Sequence, residues 1–431
     1  MTQAYLHPIA TSRLLLKAAL TVAAMLLTFA AISYQTPVPP GSDKTVVDFH
    51  AFYVAGKLGQ EGRANDSYNM AKMEVAQKDF TGVKVFMPWT YPPPFTLFVT
   101  ALAALPLGWA YGLFVGLTLA FYITVLRRIA GDHLPGVIVA ILPVILLTVM
   151  TGQNGFLTGA LIGTFLLALQ QRSSRAGIPL GLMVIKPHLA AAISLLALVE
   201  RRWQAMFIAA GIVIAALALP TFVFGLSIWP AFLDGVRESS AYLAQGKYPL
   251  FRMTSIYATA RSAGLPSDMA FAVHGVCAAG VIALLFYGWW RKLPPRLLAA
   301  SACAASLFVS PYNYDYDLCI LGVGLAFVLP GLLERTRPIE QFALLALCWV
   351  GTGYGLFTAF AQEPEIAGVG RDPLSLMAPP LLLLIALVAL AMRRAVRVRG
   401  NNIPATIATD ASAPTAAPRA QASEPRQIEL A

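Results

Sequence analysis

Charge is scarce in this chain. Only 12% of its 431 residues are Asp, Glu, Lys or Arg, where an ordinary soluble domain carries about 25%. That excludes a soluble fold, because 58% hydrophobic residues must be covered by something other than water. Cysteine is nearly missing as well. Cys277, Cys303, Cys319 and Cys348 all fall in apolar stretches, and none has metal-ligand spacing; they read as small buried hydrophobes. A Gly-rich phosphate loop, a Ser/His/Asp arrangement and a zinc motif are absent. So are the alternating ten-residue pattern of a β-barrel and any internal repeat.

What is present is a series of apolar runs from residue 14 to residue 392. A membrane-crossing helix needs roughly 20 mostly apolar residues, so the expected fold is all-α and polytopic, with roughly ten to twelve transmembrane helices. The net charge of +10 does not point to nucleic acid. The basic residues sit in short clusters at the ends of apolar runs, such as Arg127-Arg128, Arg201-Arg202, Arg291-Lys292 and Arg393-Arg394. That placement fixes orientation in a membrane.

With those clusters inside, the trace runs as follows. Residues 1–17 are a cytoplasmic N-terminus, and residues 18–34 an uncleaved first helix. A large outside loop over 35–92 follows, holding six Lys/Arg and six Asp/Glu and so no basic bias. Residues 92–126 are too long for one crossing and are broken at Pro106 and Gly108. Residues 134–150 and 155–169 form a hairpin turned by Gly152-Gln153-Asn154. Residues 176–199 are too short for two crossings and read as two half-depth helices with Lys186-Pro187-His188 at the tip. Residues 203–226 exit and 268–290 return, around an outside loop carrying Arg237, Lys247, Arg252, Ser255 and Arg261. Two more hairpins, 297–310 with 318–332 and 339–360 with 374–392, complete a membrane domain over 18–392. Residues 393–431 are a disordered cytoplasmic tail, rich in Ala, Pro, Ser and Thr. Every unusual polar motif then faces the outside, as one composite site would require, with Arg371 and Asp372 in the last outside loop.

Asp48 is the sharpest candidate. A carboxylate ionised at neutral pH can take a proton from an attacking hydroxyl; equally, Asp before an apolar-aromatic stretch is a common helix N-cap. Lys186 sits at mid-membrane depth, where an uncompensated charge costs about 2.5–3.5 kcal/mol. Its two readings are an anionic partner such as a phosphate, and a lysine snorkelling to the interface. Asp315-Tyr316-Asp317 has the shape of an Asp-x-Asp metal motif, but aspartates are also ordinary turn residues. Tyr312, Tyr314 and Tyr316 offer flat faces for a sugar or lipid, or form an interfacial belt. Tyr91-Pro92-Pro93-Pro94-Phe95 reads as a rigid start to the next helix.

These pieces in this order resemble glycosyltransferase family 87 of the C-type superfamily, which includes polyprenyl-phosphate-mannose-dependent mannosyltransferases. The resemblance spans about residues 15–390. It rests on Asp48-Phe49-His50-Ala51-Phe52-Tyr53, Tyr68, Tyr91-Pro92-Pro93-Pro94-Phe95, Gly152-Gln153-Asn154, Lys186-Pro187, Thr254-Ser255-Ile256-Tyr257 and Ser310-Pro311. It departs from the family at Ser67, which replaces the first member of a Leu-Tyr-like pair. Tyr314 and Tyr316 stand where members often carry Trp and His. The resemblance implies a C-type glycosyltransferase fold in the inner membrane, with the site facing the periplasm or exterior. The donor would be mannose or a similar hexose on a polyprenyl phosphate, the acceptor a lipid or glycan, and the anomeric centre would invert. No cofactor is implied, because the lipid phosphate is already a workable leaving group. Asp48 matches the family's functional acid. His50, Tyr53, Gln153, Asn154, Lys186, Arg252, Ser255, Arg261, Tyr314 and Asp315 complete the expected substrate-binding set. The rival class is a transporter or flippase of lipid-linked glycan.

The trace puts residues 35–92 and 393–431 on opposite sides of the membrane. Cysteines introduced at Asn65 and at Ser412 should therefore label from opposite sides of intact cells. Labelling of both from one side contradicts the orientation.

Overall fold

The computed structural model describes residues 7–35, 47–82, 86–361 and 373–394. Among them the chain is helical throughout, with one isolated antiparallel bridge, Met253 to Tyr314. Among the described residues six helices are long and apolar enough to cross a membrane: Arg13–Gln35, Leu107–Ala140, Trp203–Phe224, Ser267–Trp290, Asp315–Arg335 and Pro338–Thr358. Seven shorter apolar helices of 10–17 residues accompany them, six between the long ones and Ala378–Met392 after the last. The protein is thus a polytopic helical membrane protein. Six helices meet the length criterion by themselves, and the expected ten to twelve crossings rest on how the shorter ones are counted.

Burial separates the long helices into two kinds. Asp315–Arg335 is enclosed by protein over most of its length, while Arg13–Gln35 and Trp203–Phe224 are mostly open. The open faces carry Phe29, Phe207, Ile214 and Phe222. A surface of that kind is covered by lipid. The enclosed helix packs against Pro295–Val309, Leu107–Ala130 and Gly155–Gln170. On the last of these, Gly155, Gly159 and Gly163 face it and Leu107–Ala130 at four-residue spacing. A Cβ at Gly155 would collide with the Tyr316 carbonyl, and one at Gly163 with Val125. Small residues at such spacing let helix backbones approach closely in a membrane.

The breaks follow proline. Helices Pro93–Leu102 and Leu107–Ala130 are separated before Pro106, as expected. Residues 176–199 are divided as expected into two short helices, Gly177–Leu182 with a 3₁₀ turn to Ile185, then Pro187–Val199. Lys186 is the junction, at φ −149° and ψ 68°, because a residue preceding proline is pushed out of the α region. One expectation is corrected: residues 134–150 are two helices, Leu134–Ala140 and Leu142–Thr151. Pro143 has no N–H to give to the Val139 carbonyl four residues back, and the Trp349 indole N–H bonds that carbonyl instead at 2.8 Å.

The two stretches expected to lie outside are more ordered than loops. The first carries helices Asp48–Gln60 and Met70–Thr81, with a 3₁₀ turn Ala64–Tyr68 between them. The region after Phe224 carries Ile228–Ala244, an amphipathic helix with Ile228, Gly235, Ser239 and Leu243 buried. Residues 371–372 and the tail over 395–431 lie outside the described residues.

Helix Asp48–Gln60 is seated on Pro93–Leu102 through Gly56, where a Cβ would meet the Val99 carbonyl and the Ala103 side chain. Gly56→Val should abolish monodisperse protein on size-exclusion chromatography in detergent. Gly211→Val, at a helical position with nothing within 4 Å, should leave the elution profile unchanged.

Candidate active site

A cavity of about 630 Å³ opens between helix Asp48–Gln60, residues 86–92, the break at Lys186, the Ile228–Ala244 helix and the turn before Asp315–Arg335. Asp48 stands at the first position of its helix and lines this cavity. Its carboxylate does not cap the helix; the N-cap is Val47, whose N–H is met by His50 Nδ1 at 3.2 Å. Asp48 instead accepts from Arg252 Nη1 at 3.3 Å and Nη2 at 3.2 Å. The same guanidinium gives Nε to Asp315 Oδ2 at 3.1 Å and Nη2 to Asp315 Oδ1 at 3.2 Å. Burial alone would lower the Arg252 pKa, but the charges of Asp315 and Asp48 outweigh it and hold the group well above the ordinary arginine value.

Lys186 reaches the cavity from the break between the half-depth helices. Its Nζ bonds Asp317 Oδ1 at 2.6 Å, lies 3.5 Å from Asn154 Oδ1, and stands 4.5 Å from the centroid of Tyr316. The anion that Lys186 holds in this structure is thus the protein's own. Asp315 and Asp317 are fully buried and committed to different cations. Among the described residues no group of three His, Cys, Asp or Glu is placed to hold a metal.

One wall of the cavity is aromatic. Tyr314 and Tyr316 stack with centroids 5.5 Å apart and planes 2° apart, and Tyr312 and Tyr248 continue the wall edge-on. Gln153 lines the cavity and accepts from the Tyr91 hydroxyl at 3.0 Å. Tyr91 therefore contributes to the site itself, besides leading into Pro93–Leu102. Its segment is held by Tyr68, whose hydroxyl donates to the Tyr91 carbonyl at 3.0 Å and shares a hydrogen bond with the Thr96 hydroxyl at 2.7 Å, and Thr96 accepts from the Trp89 indole at 2.9 Å.

The family model of glycosyltransferase family 87 matches residues 89–311, just over half of the chain. The chain belongs to glycosyltransferase family 87. Neither the curated proteins nor the solved structures contain a match to it. The matched stretch of this family 87 member includes Tyr91, Gln153, Lys186 and Arg252. Asp48 lies before it, and Tyr314, Asp315 and Asp317 lie after it; the fold brings Asp48 and Tyr314 to the same cavity, while Asp315, Asp317 and Asn154 are fully buried behind its lining and touch it through Arg252 and Lys186.

Not every expected residue arrives there. Tyr53 gives its hydroxyl to the Leu105 carbonyl at 2.9 Å, and His50 packs against Tyr34; neither lines the cavity. Ser255 caps the helix Ile256–Ser262 and bonds the Pro311 carbonyl at 2.7 Å. Arg261 donates to the Leu265 and Ala244 carbonyls. These two residues brace the loop that carries Arg252. The sequence reading missed Trp89, Phe232, Tyr242 and Tyr248. The signal for Phe232 and Tyr242 was available in the helical periodicity of residues 228–244.

Because Lys186 and Asp317 are buried together, removing one charge strands the other. Lys186→Met and Asp317→Leu should each cost about 3–5 kcal/mol, and the double variant should recover most of that. Chemical denaturation of the purified protein in detergent checks the cycle; additive losses would show that the pair is not coupled.

Proposed function

We propose that this family 87 protein transfers a hexose, mannose or a similar sugar, from a polyprenyl monophosphate to a hydroxyl of a lipid or glycan acceptor. The reaction takes place at the outer face of the inner membrane and inverts the anomeric centre. The observation that carries this reading is Asp48: a carboxylate at a helix start that does not cap, but faces an aromatic-walled cavity beside a partly buried guanidinium.

In this reading Asp48 takes the proton of the acceptor hydroxyl. The acceptor oxygen attacks the anomeric carbon, and the bond from that carbon to the phosphate oxygen breaks. Its electron pair leaves with the polyprenyl phosphate. Arg252 supplies positive charge where the leaving phosphate gains negative charge, inside a site partly closed to water, where such an interaction is strong. The stacked faces of Tyr314 and Tyr316 suit the apolar face of a hexose. The apolar side of the cavity, from Phe86, Met87, Phe232 and Val236, suits the first isoprene units. The C-type fold and a count of ten to twelve crossings belong to the same proposal.

Asp48→Asn keeps size but cannot accept the proton. Purified Asp48→Asn protein given labelled polyprenyl-phosphate sugar and a membrane-lipid extract should lose transfer by about 10²–10⁴-fold while staying folded. Near wild-type transfer would remove Asp48 from this role. Movement of the labelled lipid between leaflets with no transfer by the wild type would instead support a flippase.

A further inference from the structure

Arg252 has two carboxylates on one guanidinium, and their positions differ. Nε serves only Asp315, Nη1 serves only Asp48, and Nη2 is divided between them. The Asp315 side chain is 0% exposed and is pinned further by the Tyr316 N–H at 2.9 Å. The Asp48 side chain is 13% exposed and lines the cavity, as Arg252 does. The bonds to the two carboxylates are similar in length, 3.2 and 3.3 Å to Asp48 and 3.1 and 3.2 Å to Asp315, so exposure and the Tyr316 N–H set them apart. An anion in the cavity can therefore reach the Nη1 side of Arg252 and cannot reach the Nε side.

The charges around the cavity narrow the choice further. Asp48 and Asp315 meet Arg252 and Asp317 meets Lys186, while Lys247, the third cation of the cavity, stands apart over the Tyr242 ring at 4.9 Å. Lys186 is held at 2.6 Å by a fully buried partner. A phosphate arriving at Arg252 must displace a carboxylate, and Asp48, partly exposed to the cavity, is the one open to exchange.

We propose that Asp48 and the donor phosphate exchange places on Arg252. Asp315 anchors the guanidinium throughout; Asp48 occupies its open edge in the empty enzyme; the phosphate monoester takes that edge when the donor binds. The consequence is an ordered reaction. Asp48 is tied up in an ion pair until the donor is present, and is then released as a free carboxylate beside the anomeric carbon. The donor must bind first, and the empty enzyme does not activate water. The inference rests on the reading above for the identity of the anion, but the exchange is a property of binding and is tested without transfer.

The test uses full-length protein in nanodiscs, with affinity read from ligand-dependent shifts in thermal unfolding. The probes are sugar-free undecaprenyl phosphate and, separately, inorganic phosphate. If Asp48 competes with the phosphate, neutralising it strengthens binding. Asp48→Asn should bind undecaprenyl phosphate about tenfold more tightly than wild type, the gain expected from removing one competing charged hydrogen-bond partner. Asp48→Ala, run beside it, should show the same direction. Adding Arg252→Lys to Asp48→Asn should erase the gain, because lysine lacks the fork that spans Asp315 and a second anion. Unchanged or weaker binding in both Asp48 variants overturns the proposal, as does a gain that survives Arg252→Lys. A gain for inorganic phosphate alone assigns the edge to a free anion and overturns the donor assignment. Since no sugar is present, each result stands whether or not the wild type proves to transfer one.

Discussion

Arg252 is drawn to Asp48 and Asp315 at once, from positions 204 and 63 residues away in the chain. A guanidinium enclosed like this is stable only if its charge is met, so the first outside helix, the loop before Ile256–Ser262 and the start of Asp315–Arg335 must come together. The bridge between Met253 and Tyr314, with the Thr254 N–H on the Asn313 carbonyl at 2.9 Å, ties the second and third of these directly. Ser255 and Arg261 brace the same loop from outside. Much of the polar outer region can be read as support for one cation and the two acids it holds.

The Lys186–Asp317 pair is arranged differently. Its carboxylate is fully enclosed, and its lysine lies at a break imposed by Pro187 rather than on a helix face. The break exposes backbone that the membrane interior would not tolerate, but the tip opens into a cavity instead of lipid, which is where irregular backbone is allowed. Asp315 and Asp317, two residues apart, thus serve opposite sides of the cavity. The tyrosines on either side of Asp315 stack on each other and form the wall between the two ion pairs.

Membership of family 87 and the geometry inform different parts of the chain. The family match begins at Trp89 and ends at Pro311. It covers the half-depth pair and Arg252 but neither partner of Arg252. The acids that make the arginine useful enter only through the fold.

Much of the architecture was legible in the sequence, because the membrane demands long apolar runs and proline breaks helices by local sterics. The first helix, the break before Pro106, the turn at Gly152 and the half-depth pair around Lys186 all follow from residues within a few positions of one another. The gathering of Asp48, Gln153, Lys186, Arg252, Tyr314 and Asp315 was expected only as residues facing one side. Pairing was beyond local reasoning. Lys186 called for an anion, yet nothing near it in sequence named Asp317, 131 residues on. His50 and Tyr53 looked like site residues because they neighbour Asp48. A helix turns successive side chains by about 100°, so these two face away from the cavity. Sequence alone determined which segments are apolar enough to cross and where the chain must bend; tertiary packing decided which of them are enclosed by protein and which charges neutralise each other, because both depend on distances between segments that no local rule sets.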